Sequence, residues 1–114
     1  MAKGPLLHFI HTEEFDDSWG EVPLSDGDLK DLQAALCDNP EAGDTVAGTG
    51  GVRKYRIPAR GKGTRGGARV IYYYVVRRST VYLLLAYGKG DAEDLSSAGK
   101  KYMHTLTQAL DEET

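Results

Sequence analysis

The residues of this chain best suited to chemistry are cations set among aromatics. Lys54, Arg56, Arg60, Lys62, Arg65 and Arg69 precede the run Tyr72–Tyr74, and Tyr87 and Lys89 follow it. Ten of the fourteen Lys and Arg residues lie between 45 and 90, where there is no Asp or Glu, although the chain carries seventeen. Residues 45–90 therefore sum to +10, residues 1–44 to −9 (two bases, eleven acids) and residues 91–114 to −4 (two bases, six acids). The whole-chain charge of −3 conceals that division. One reading is that these cations are the solvated ends of strands and loops. A neutral solvated surface normally mixes signs, however, so the acid-free block points instead to a phosphate-backbone ligand. Tyrosines such as Tyr73 add rings on which unstacked bases can sit, which favours single-stranded RNA.

Such a set is sufficient for RNA cleavage without a metal or a nucleophilic side chain. The 2′-OH of the substrate attacks the neighbouring phosphate once three tasks are met. A base takes the 2′ proton, cations stabilise charge on the phosphoryl oxygens, and an acid protonates the departing 5′ oxygen. A lysine crowded among other cations gives up its proton more readily and is a candidate base, whereas arginine stays charged and suits the stabilising role. Lys54, Lys62, Arg65, Arg69, Lys89 and a tyrosine hydroxyl supply the chemistry.

Other chemistries find less support. His8, His11 and His104 are too dispersed to form a metal motif, and no cofactor is expected. The glycine-rich stretch 42–51 lacks both the G-x-G-x-x-G spacing and a P-loop lysine. Cys37 is the lone cysteine, has no nearby histidine to activate it, and excludes an intramolecular disulfide framework. The first residues, MAKGPLLHFIH, carry no long apolar signal segment, and the run Val81–Tyr87 is far short of the ~20 residues that span a bilayer. The expectation is a soluble, cytoplasmic, single domain over residues 1–114 that engages no membrane.

The elements that must position these groups can be read in order. Leu6, Leu7, Phe9 and Ile10 suggest a first strand. Thr12 is an N-cap candidate for a short helix whose Phe15, Trp19 and Val22 share a face. Ser25 with Asp28 resembles a capping box for a second helix with the stripe Leu29, Leu32 and Leu36, ended by Asn39-Pro40. Residues 42–51 read as a connector, Val52–Ile57 as a strand stopped by Pro58, and 59–67 as a flexible basic loop. Residues 68–76 and 81–87 form a hairpin with a turn at 77–80. Both strands are almost continuously apolar, so they should lie centrally in the sheet, with helices expected on one face. Ser96 or Ser97 caps a last helix with Tyr102, Met103, Leu106 and Leu110 inward, and its acidic end, Asp111-Glu112-Glu113, is expected to fray.

In order and spacing, NPEAG, GTGGVRK, GKGTRGGARVIYY, YLLLAYGK and DLS resemble the RelE/ParE superfamily of bacterial toxins, most closely its HigB-type branch, over roughly residues 25–110. The resemblance implies a compact α+β fold: an antiparallel twisted sheet with two N-terminal helices and a C-terminal helix. It also implies a ribosome-dependent endoribonuclease acting on translated mRNA and silenced by a cognate antitoxin, expected to be of helix-turn-helix type. Arg69 matches the phosphate-stabilising arginine of the family, and Lys54, Lys62 and Arg65 lie in the strand and loop that supply its other basic groups. Lys89 matches the lysine closing the last strand, with Tyr87 just before it. Arg56, Arg60 and Tyr73 complete the expected RNA-binding set. Ser96 falls near the place where RelE-like members carry a catalytic tyrosine, so the general acid and base stay open. The same fold also admits two other activities, ParE-type inhibition of DNA gyrase and nucleic-acid binding without catalysis.

Overall fold

The structure, a computed structural model, describes residues 7–22, 24–57, 67–88 and 95–113. The elements are β1 (His8–His11), α1 (Glu13–Trp19), α2 (Asp26–Asp38), β2 (Asp44–Thr45), β3 (Arg53–Ile57), β4 (Ala68–Val75), β5 (Thr80–Gly88) and α3 (Ser97–Glu112). They build a five-stranded sheet in the order β1-β5-β4-β3-β2. Neighbouring strands are antiparallel except β1, which lies parallel to β5. The parallel pair requires a crossover, and the chain from β1 to β5 supplies it.

Local sequence sets the helix starts. The Thr12 hydroxyl accepts from Phe15 N–H, closing the first turn of α1. Ser25 and Asp28 form the full reciprocal capping box of α2, and Ser96 accepts from Gly99 N–H at the start of α3. The turn between β4 and β5 is a 3₁₀ segment, Val76–Arg78, followed by Ser79 in the left-handed region at φ 48°.

Strand alternation divides the core between the two sheet faces. Val70 and Tyr72 of β4 and Val81 and Leu83 of β5 pack with Phe15 of α1 and with Leu32 and Leu36 of α2. Ile71, Tyr73 and Val75 of β4 and Tyr82, Leu84 and Tyr87 of β5 pack with Met103 and Leu110 of α3. Helices therefore cover both faces, not one. The physical reason lies in the strands themselves: with both alternate sets apolar, each set needs its own cover. A register shift where Ile71 pairs Leu85 and Tyr72 pairs Leu83 leaves β5 with one extra residue, so that Leu84 and Leu85 both join the α3-side core.

Three further expectations change. Tyr102 does not face inward; it is 53% exposed, while Met103, Thr107 and Leu110 are buried. The stretch 42–51 is not a slack connector. It contains β2 and a tight loop into β3, in which Val46 N–H donates to Val52 O and the Thr49 hydroxyl joins Val46 O at 2.6 Å to Val52 N–H at 3.1 Å. Gly50 in that loop has φ +80°, and a Cβ there would stand 2.5 Å from the Thr107 hydroxyl of α3, so a side chain is excluded twice over. The acidic end of α3, finally, is clamped and not frayed. Arg77 bonds Asp111 O, and Arg78 donates to Leu110 O at 2.8 Å and Glu113 O at 2.7 Å. Two arginines from the β4–β5 turn thus supply the positive charge that a helix C-terminus favours.

Candidate functional site: a basic face beside α3

Strand register gathers several of the candidate residues. Lys54 lies opposite Ile71, Arg56 opposite Arg69, and Arg69 opposite Tyr87. Directly paired residues project to the same side of a sheet, and residues two apart on one strand do likewise. Ile71 and Tyr87 belong to the core under α3, so Lys54, Arg56, Arg69 and Tyr87 all lie on the α3 side. Three adjacent strands contribute them. Arg56 is exposed, whereas Lys54 and Arg69 are half-buried. Tyr87 is buried, and its hydroxyl oxygen is out of contact with solvent. Arg60, Lys62, Arg65 and Lys89 lie outside the described residues.

The Arg56–Arg69 pair is informative. Like charges directly opposite on neighbouring strands destabilise a sheet. Basic side chains at that spacing form a ready receptor for an anion that bridges them. By contrast, Arg53 faces the other side, opposite Tyr72, where its guanidinium donates to Gly43 O at 2.7 Å and Glu41 O at 3.1 Å and lies 3.8 Å from the Glu41 carboxylate. Arg53 ties the β2 approach to β3. Arg77 and Arg78, likewise, hold α3. The basic block thus separates into structural arginines and a second set on one face.

Tyr73 leaves the expected RNA-binding set. Its ring packs in the core beneath α3 and its hydroxyl donates to Asp111 at 2.7 Å, which leaves no face for a base to stack on. Burial, reinforced by the Asp111 carboxylate, pushes its hydroxyl up to about 12. Tyr72 is turned the other way. It accepts from Gly43 N–H at 2.9 Å and donates to Pro40 O at 2.8 Å, and burial raises its pKa above the ordinary value. Sequence reasoning also passed over Lys100 and Lys101, and considered His104 only as a metal ligand. These line an open concavity of about 460 Å³ between α3 and the loop leading from β2 to β3, together with Gly48 and Ser97. Their i, i+3, i+4, i+7 spacing from Ser97 was the available signal.

No group of three or more His, Cys, Asp and Glu residues comes together as a metal site among the described residues. No helix among them is long and apolar enough to cross a membrane.

A mixed sheet with helices on both faces, and with Lys54, Arg56 and Arg69 gathered on one side, defines a small α+β protein with a basic face. A family model described as the RelE toxin of the RelE/RelB toxin–antitoxin system matches residues 12–114, and the chain belongs to this RelE toxin family. The fold is similar to that of a double mutant of the E. coli toxin RelE in its free state, with a TM-score of 0.56 at 14% identity, covering 90% of this chain and 96% of that one. It is also similar to the archaeal RelE–RelB complex from Pyrococcus horikoshii OT3, with a TM-score of 0.51 at 19% identity, covering 75% of this chain and 98% of that one.

Proposed function

We propose that this RelE-family toxin is a metal-independent endoribonuclease of the HigB-type branch that cleaves translated mRNA on the ribosome in the cytoplasm. The observation that carries this reading is the cross-strand row Arg56–Arg69–Tyr87, with Lys54 beside it, on the α3 side of the sheet. A scissile phosphate on this face meets cations fixed on rigid strands, where they need little reorganisation as charge develops.

The 2′ oxygen forms a bond to phosphorus as the bond to the 5′ oxygen breaks, leaving a 2′,3′-cyclic phosphate and a 5′-OH end. Arg69 stabilises the phosphoryl oxygens, and Arg56 and Lys54 hold the backbone on either side. Lys62, Arg65 and Lys89 complete the basic set, and Arg60 adds to RNA binding. Tyr87, expected among the catalytic residues, keeps its hydroxyl buried away from solvent, so one of the lysines handles the proton. A cognate antitoxin, of helix-turn-helix type, silences the toxin. The RelE–RelB complex from Pyrococcus horikoshii OT3 supports a cognate antitoxin as partner, whatever its type.

Induction of the wild-type chain in a bacterial host should arrest growth, and both Arg69→Ala and Lys89→Ala should relieve the arrest at equal protein levels. Growth arrest with intact mRNA and inhibited supercoiling would instead assign the gyrase-directed activity.

A further inference from the structure

We infer that the concavity between α3 and the β2–β3 loop is a second phosphate-backbone subsite, which carries single-stranded RNA away from the Arg56–Arg69 row. The inference rests on the RNA reading above and adds to it a separate binding surface. Ser97, Lys100, Lys101 and His104 line one side of the concavity and Gly48 the other. Among the described residues no carboxylate lines it. The segment 91–114 carries six acids, three of them (Asp91, Glu93 and Asp94) just before α3 in sequence, and its only two bases are these two lysines. The acids of α3 itself stand at the far end, at Asp111 and Glu112, and none occupies its first turn.

The opposite wall is built to stay in place. Thr49 is fully buried and bonded at both ends within its own loop, and the Thr107 hydroxyl of α3 reaches Thr49 O at 3.1 Å. Gly48, at φ +79°, has open space around the position of a Cβ, so its backbone can be approached closely from the concavity. A rigid wall facing two cations and a histidine is preorganised for an anion. The concavity is open rather than enclosed, which suits a polymer passing through better than a small metabolite. Its loop runs directly into β3, so Lys100 and Lys101 and the pair Lys54 and Arg56 flank one continuous stretch of chain on the same side of the sheet.

The test uses the full chain and a labelled single-stranded RNA with 2′-O-methyl groups throughout, which binds but offers no 2′-OH for attack. Anisotropy titrations across a salt series should show the double variant Lys100→Ala/Lys101→Ala binding at least several-fold more weakly at low salt. Its slope of log affinity against log salt should be shallower by about 0.7 for each phosphate that the variant no longer neutralises. Lys100→Gln/Lys101→Gln, which keeps the aliphatic stems, should behave alike with an unchanged melting temperature. Wild-type affinity and slope in both variants would overturn the subsite and leave the RNA reading standing. Failure of the wild-type chain to bind the RNA at any salt would overturn the subsite, while cleavage on translating ribosomes tests the RNA reading separately. Equal competition by polyglutamate at matched ionic strength would also overturn it, because the surface would then select negative charge without selecting phosphate.

Discussion

Tyr72 accepts a hydrogen bond from Gly43 N–H and donates one to Pro40 O, and so stitches the sheet to the segment between α2 and β2. Tyr72→Phe leaves both backbone groups without their partner. It should cost about 1–3 kcal/mol in denaturant unfolding while leaving RNA binding unchanged, since the ring lies on the α1–α2 side. Tyr73 makes a different prediction. Its pKa is raised from 10.0 to about 12, chiefly by burial and then by Asp111. Below pH 10 the hydroxyl is protonated in both folded and unfolded chains, and its stabilising contribution is complete. As pH rises from 10 to 12 the unfolded chain loses the proton first, so that contribution is progressively lost. Unfolding followed against pH should fall more steeply over this window in the wild type than in Tyr73→Phe. Equal slopes would show that the Tyr73 hydroxyl holds its proton alike in the folded and unfolded chains.

At the scale of elements, the C-terminal helix depends on cations from elsewhere in the chain. Arg78 reaches Leu110 O, Glu113 O and the Tyr82 hydroxyl, and its guanidinium lies 5.9 Å from the centre of the Tyr82 ring. Arg78→Ala should raise amide exchange over residues 107–113 before the rest of the fold. It should lower stability by about 2–4 kcal/mol, the sum expected for one helix-end charge and one charged hydrogen bond. Unchanged exchange there would mean that Arg77 alone suffices. This clamp explains one limit on what the sequence made legible. The caps at Thr12, Ser25 and Ser96 are local and were readable, as were the apolar stripes of α2 and the β4–β5 hairpin. The clamp joins residues more than thirty positions apart, and no local pattern announces it. The parallel β1–β5 pairing and the docking of the β2–β3 loop on Thr107 are non-local in the same way. Of the candidate site, the residue types were legible from charge alone. The division of the basic residues between the two faces of the sheet needed strand register: Arg53 and Lys54 are adjacent in sequence but face opposite sides of the sheet.

At the scale of the whole molecule, the described residues divide by charge in space, with Asp111 and Glu112 of α3 among the exceptions on the basic side. Glu13, Glu14, Asp16, Asp17, Asp26, Asp31 and Asp38 are carried on α1 and α2, which cover one sheet face. Lys54, Arg56 and Arg69, and the concavity with Lys100 and Lys101, lie on the other side, with α3. An asymmetric field of this kind orients a polyanion toward one face before contact, and its effect weakens as salt rises. Ribosome-dependent cleavage can be read out with purified chain, ribosomes and a defined mRNA under active translation, by mapping the 5′ ends produced. New 5′-OH ends inside the translated frame, absent without ribosomes and abolished in a folded Arg69→Ala variant, are the predicted result. No new ends, or the same ends from Arg69→Ala, would contradict it.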